Sequence, residues 1–94
     1  MERKVRKTIF ISGKVHNVYF RSKMEEMANN LGVCGTVMNL RDGQIKAVLE
    51  GMEEAVDKII EWARKGPSEA KVEKLDVFSQ PYLAEYKFFR IVVL

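Results

Sequence analysis

The sequence predicts one α+β domain, an antiparallel sheet carrying two helices on one face, with a fifth strand at the C-terminal end. Three observations lead there. A chain of 94 residues with 47% hydrophobic content can close one core but not two. Its apolar residues switch between a period of two and a helical period in the order β-α-β-β-α-β, followed by one more strand-like run. Gly, Pro or Asp stands near most of the switches, and no internal repeat, linker or low-complexity segment interrupts them.

The first strand is Thr8-Ile9-Phe10-Ile11-Ser12, β-branched, alternating and closed by Gly13. Phe20, Met24, Met27, Ala28 and Leu31 then recur at helical spacing, and Gly32 sits where a left-handed cap ends a helix, which predicts helix one over 20–31. Val33 to Leu40 and Gln44 to Glu50 read as a hairpin across Arg41-Asp42-Gly43. Glu53 and Glu54 suit the positive end of a second helix, whose apolar face is Met52, Ala55, Val56, Ile59, Ile60 and Ala63 and which Gly66-Pro67 stops. Val72 to Phe78 and Tyr86 to Leu94 are the remaining strands, with Pro81 in the turn between them.

Two β-α-β units with right-handed crossovers joined by a hairpin define the ferredoxin-like sandwich, in which the third strand lies between the first and the second. Strands one and two run the same way, so the loop after Ser12 and the end of strand two meet at one sheet edge, about 10 Å apart. A phosphate and a water fit that gap.

Sixteen basic and thirteen acidic residues leave a net charge of +3, interspersed except for the cluster Arg3, Lys4, Arg6, Lys7. Residues 1–6 therefore read as a flexible basic tail rather than a nucleic-acid clamp. Strand three lacks the exposed aromatics of an RNA-recognition sheet, so no nucleic-acid partner is expected. No run approaches the roughly 20 apolar residues of a membrane span, and no apolar signal follows the N-terminus, so a cytoplasmic location without a membrane partner is the expectation. A monomer is expected as well, though no residue pattern speaks to the oligomeric state. A single cysteine, Cys34, excludes an internal disulfide and a multi-cysteine metal site and reads as a small apolar strand residue.

The segment Gly13-Lys14-Val15-His16-Asn17-Val18-Tyr19-Phe20-Arg21 leads from a strand through a loop into a helix. Backbone N–H groups converge in such loops and the helix start adds partial positive charge, a setting for an anion. An Arg in a first helical turn opposes the helix dipole and is ordinarily a solvated surface residue. At the mouth of an amide-rich loop, Arg21 is better explained as a clamp on an anion.

These residues resemble the acylphosphatase signature, Gly-x-Val-Gln-Gly-Val-x-Phe-Arg. The block Gly35-Thr36-Val37-Met38-Asn39-Leu40-Arg41-Asp42-Gly43 is similar to that family's Gly-Trp-Val-x-Asn followed by an Asp-Gly turn. The likeness continues through Glu50-Gly51 and Gly66-Pro67 to Phe89-Arg90-Ile91. It implies that Arg21 binds the phosphoryl group, that Asn39 orients the attacking water, and that the backbone of Val15, His16, Asn17, Val18, Tyr19 and Phe20 cradles the phosphate. It implies a small acyl phosphate as substrate, inorganic phosphate as product and inhibitor, and neither metal nor cofactor. Read alone, Asn39 is an ordinary polar residue ending a strand.

The chemistry explains why so few side chains suffice. A carboxylate leaving group has a conjugate-acid pKa of about 4 and departs without a general acid. Phosphoryl transfer through a loose transition state asks for a placed nucleophile and for neutralised equatorial oxygens. Three positions depart from the family pattern: His16 for Gln, Asn17 for Gly and Thr36 for Trp. Asn tolerates the left-handed conformation that Gly supplies, and His16 reads as an exposed loop residue. The alternative is a catalytically weak or silent phosphate-binding module on the same fold.

Overall fold

In a computed structural model that describes residues 3–94, the chain forms β1 (Lys4–Lys14), α1 (Phe20–Leu31), β2 (Cys34–Asn39), β3 (Ile45–Met52), α2 (Glu53–Ala63), β4 (Lys71–Gln80) and β5 (Phe89–Val92). The five strands make one sheet in the order β4-β1-β3-β2-β5. β1, β3 and β2 pair antiparallel, β4 pairs antiparallel with β1, and β5 lies parallel to β2 at the far edge. The expected ferredoxin-like sandwich with an additional C-terminal strand is the observed fold.

Alternation decides which face is buried. Ile9 and Ile11 of β1, Val37 of β2, and Ile45, Ala47 and Leu49 of β3 are wholly buried under the helices, α1 packing on β2 and β5 and α2 on β1 and β3. Met24 and Ala28 of α1 and Val56, Ile59 and Ala63 of α2 close the core from above. Truncating any of the larger ones to Ala costs about 2–5 kcal/mol. α1 stops at the left-handed Gly32, at φ 71°, whose N–H returns to the Ala28 carbonyl; α2 ends at a right-handed Arg64, and two residues on the left-handed Gly66, at φ 72°, donates to the Trp62 carbonyl over 2.8 Å.

Two expectations need correction. The basic cluster is not a free tail from Lys4 onward, because β1 begins there; residues 1 and 2 lie outside the described residues. Its charges are used on both faces of the sheet. Arg3 grips Glu53 of α2 with two hydrogen bonds of 3.1 and 3.0 Å, Lys7 reaches Asp57 at 2.7 Å, and Arg6 on the opposite face meets Glu50 and Glu85. The connection containing Pro81 is likewise no turn between neighbouring strands. β4 and β5 lie at opposite sheet edges, so residues 81–88 cross the helix-free face from one edge to the other.

That crossing is fastened by a buried acid. Glu50 Oε1 accepts the N–H groups of Glu85 and Tyr86, and Oε2 accepts that of Leu83 together with the Arg6 guanidinium. Glu50 is only 2% exposed although its strand position points away from the core, because residues 81–88 cover it. The far end of the crossing is held by Gly35 N–H, which donates to the Phe88 carbonyl over 2.9 Å and delivers β5 to the edge of β2. No helix among the described residues is long and apolar enough to cross a membrane.

Candidate active site

β1 ends in an irregularity. Its register against β4 shifts between Ser12 and Gly13, and Gly13, at φ 126°, lies so close to β4 that a Cβ would collide with the Lys71 carbonyl. The chain then turns into the loop 15–19 with Val15 and Val18 buried as anchors and His16, Asn17 and Tyr19 exposed.

Asn17 adopts φ 59°, the left-handed conformation its residue type tolerates. Tyr19 does the same at φ 63°, although an aromatic residue gains nothing there, and its neighbours have negative φ. Alternation of this kind turns successive backbone N–H groups toward one side, the concavity that accepts anions. Tyr19 is also the N-cap of α1. Its carbonyl accepts Lys23 N–H at 3.0 Å and Ser22 Oγ at 3.3 Å, while no side chain caps the helix and no acid stands in its first turn. The leading amides of α1 thus face the loop without a competing carboxylate.

Phe20 opens the helix by burying its ring edge-on against Trp62, centroids 5.2 Å apart, with Gly66 beneath it. Locked this way, Phe20 fixes the direction of the next residue, Arg21, which is half-buried and lines a cleft of about 570 Å³. Across that cleft stands Asn39, the last residue of β2. The turn behind it is tied by Leu40 N–H to the Gln44 carbonyl at 2.8 Å and by Asp42, whose carboxylate receives Gln44 N–H at 3.0 Å. Asn39 Oδ1 is buried and has no hydrogen-bond partner. A buried amide oxygen left unpaired costs about 1–3 kcal/mol, which makes Asn39 the one described side chain with a buried acceptor that the protein itself does not satisfy.

The structure brings together Val15, His16, Asn17, Tyr19, Phe20 and Arg21 from the loop and helix start with Asn39 from β2, all lining one cleft. Val18 is the exception: it borders a separate groove instead. Three lining residues were not anticipated, Ser22, Ile91 and Val93. The last two come from β5 and the residues beyond it, and nothing local in the sequence reveals that the chain's end doubles back to the mouth of the β1–α1 loop. Among the described residues no three His, Cys, Asp or Glu side chains are grouped to hold a metal.

An antiparallel core sheet with two helices on one face and a cleft at the joint of β1 and α1 define a small ferredoxin-like sandwich. Residues 7–91 match the acylphosphatase family model. The acylphosphatase of Pyrobaculum calidifontis is 51% identical over 89 residues, which make up 94% of this chain and 81% of that one. Among solved structures, an acylphosphatase from Coxiella burnetii superposes with a TM-score of 0.88 at 28% identity, covering 95% of this chain and 93% of that one. The Bacillus subtilis acylphosphatase gives 0.88 at 28% identity, covering 94% of this chain and 98% of that one. The chain belongs to the acylphosphatase family.

Proposed function

We propose that the protein hydrolyses the carboxyl–phosphate bond of an acyl phosphate, with Arg21 and the loop amides of residues 15–20 holding the phosphoryl group and Asn39 positioning the water. The observation that carries this reading is that Asn39, whose amide oxygen has no hydrogen-bond partner in the protein, lines the same cleft as Arg21.

A water donating one hydrogen to Asn39 Oδ1 keeps a lone pair free for phosphorus. As it attacks, the bond from phosphorus to the acyl oxygen breaks and the carboxylate leaves with the bonding pair. The water's proton ends on the phosphate released. Arg21 and the amides neutralise the equatorial oxygens, a contribution of about 10²–10³ in rate for each well-aimed donor. No general acid is required, because the carboxylate is a good leaving group. The positive charge at the phosphate comes from the protein, so the reaction is assigned no metal or cofactor. Inorganic phosphate, which satisfies the same donors, is the expected product inhibitor. The protein is taken to work as a monomer in the cytoplasm, without nucleic acid or membrane.

Turnover of benzoyl phosphate by the purified protein, measured with and without EDTA and with rising inorganic phosphate, tests the reading. Hydrolysis that ignores EDTA and is inhibited competitively by phosphate supports it. Phosphate binding without turnover means a silent anion module, favoured by the side chain that Asn17 introduces where the family pattern has Gly.

A further inference from the structure

A second groove, of about 390 Å³, lies beside the cleft and is walled by Trp62 of α2 and by Pro67 and Ser68 just beyond it. Tyr19 lines both spaces and so borders them in common, and it is 74% exposed. Asn39 borders only the first. Apart from Tyr19 the two spaces have different walls. Asn39, Ile91 and Val93 belong to the β2–β5 side, whereas Trp62 belongs to α2, which packs on β1 and β3.

In-line displacement fixes where a substrate must extend. The leaving oxygen stands opposite the attacking water, so if Asn39 holds the water, the acyl group projects away from β2 and over Tyr19. We infer that the acyl group lies along the Tyr19 ring into the groove between Trp62 and Pro67, and that this groove sets a preference for flat, apolar acyl groups. The inference rests on the proposed roles of Arg21 and Asn39.

The walls suit that occupant. Trp62 is half-buried and its ring is held edge-on by Phe20, which makes it a rigid surface whose exposed part presents aromatic area at no cost in side-chain ordering. The rim carries Lys23 and Glu69, one charge of each sign, so the groove offers no net charge to a second ionic group on the substrate. An acetyl group carries little apolar area to lay against such a wall.

The test fills the groove without touching the phosphate machinery. Ser68 is exposed and lies in the segment between α2 and β4, so Ser68→Trp places an indole in the groove while the core stays intact. For benzoyl phosphate we expect kcat/KM to fall about tenfold, the order by which a hydrophobic pocket discriminates small groups. Acetyl phosphate turnover and the inhibition constant of inorganic phosphate should not change. Glu69→Trp, on the same rim, should repeat the pattern, and circular dichroism of both variants checks folding. If both variants alter the two substrates equally, or alter neither, the acyl group extends elsewhere and the inference is wrong while the hydrolase reading stands. If the unaltered protein binds phosphate but hydrolyses neither compound, both readings fall together.

Discussion

Arg6 and Glu50 stand directly opposite each other across the β1–β3 ladder, and Arg6 Nη1 donates to Glu50 Oε2 over 3.2 Å beneath the segment that carries the chain from β4 to β5. Because that segment delivers β5, and Ile91 of β5 lines the cleft, the pair ties the site to the far end of the sheet. Glu50→Gln keeps the shape but replaces one acceptor oxygen with a donor, leaving unpaired either the Leu83 N–H, with Arg6 reduced to its bonds to Glu85 and Gln80, or the N–H groups of Glu85 and Tyr86. The expected loss is about 2–3 kcal/mol, or a melting temperature lower by roughly 10–20 °C, measured by calorimetry at neutral pH.

The same carboxylate should make part of the stability pH-dependent. Burial pushes the Glu50 carboxyl up, but the backbone N–H groups of Leu83, Tyr86 and Glu85 and the Arg6 guanidinium together outweigh it, holding it below its ordinary value. A folded-state pKa below the unfolded one stabilises fully above the unfolded value of about 4.3 and less as pH falls through it toward the folded value. The advantage of the unaltered protein over Glu50→Gln should therefore be constant near neutrality and shrink below about pH 4. A difference that stays flat down to pH 2.5 would mean that Glu50 does not titrate with folding.

Local patterns explain why most of the fold was legible beforehand. Alternation in Thr8–Ser12, the 3.6-residue spacing from Phe20 to Leu31 and the glycine stops are all written within a few residues, and α1 falls on the expected residues 20–31. The likeness to the acylphosphatase signature singled out Arg21 and Asn39, and both line the cleft. What the sequence hid depends on residues far apart. Whether Arg6 is a tail or a strand residue is decided by Glu50 and Glu85, and the path of residues 81–88 by three amides that find a buried carboxylate. The left-handed Tyr19 was hidden for another reason: its residue type argues against that conformation, and only the loop's geometry imposes it.

Arg21 and Asn39 should fail in different ways when altered, because one is assigned to ground-state phosphate and the other only to water. Arg21→Gln should abolish measurable turnover and also weaken phosphate inhibition. Asn39→Ala should lower kcat on the order of a hundredfold while phosphate inhibits with nearly its original constant. Steady-state kinetics with phosphate as competitor separates the two. Undiminished kcat in Asn39→Ala would remove that amide from the reaction.

Gly66 should matter to the site through Phe20. A Cβ at Gly66 would sit 2.5 Å from Phe20 Cε2, whereas at Gly32, with nearly the same φ, it would meet nothing within 4 Å. Gly32→Ala therefore pays only for the left-handed conformation, about 1 kcal/mol. Gly66→Ala adds a clash worth roughly 1–3 kcal/mol more and displaces the residue that aims Arg21. Thermal melts should rank the two, and the phosphate inhibition constant should rise in Gly66→Ala alone.

Asn17 is the position where the chain departs from its family's signature inside the cradle, and its φ of 59° says what a replacement must satisfy. Glycine reaches that conformation freely and carries no side chain beside the anion. Asn17→Gly should keep or improve phosphate affinity, at a cost of about 1 kcal/mol in stability from the greater freedom of the unfolded chain. Valine is disfavoured at positive φ by its branched Cβ, so Asn17→Val should push the loop toward an extended conformation and turn N–H groups away from the phosphate. The residue is exposed and outside the core, so the valine form should still fold, with stability lower by about 1–3 kcal/mol. Phosphate inhibition constants for the three forms, measured beside their melting curves, should order as Gly no weaker than Asn, and Val far weaker than both. If all three share one constant, the alternating backbone at residues 16–20 does not hold the anion, and the binding must be carried by Arg21 and the amides that open α1.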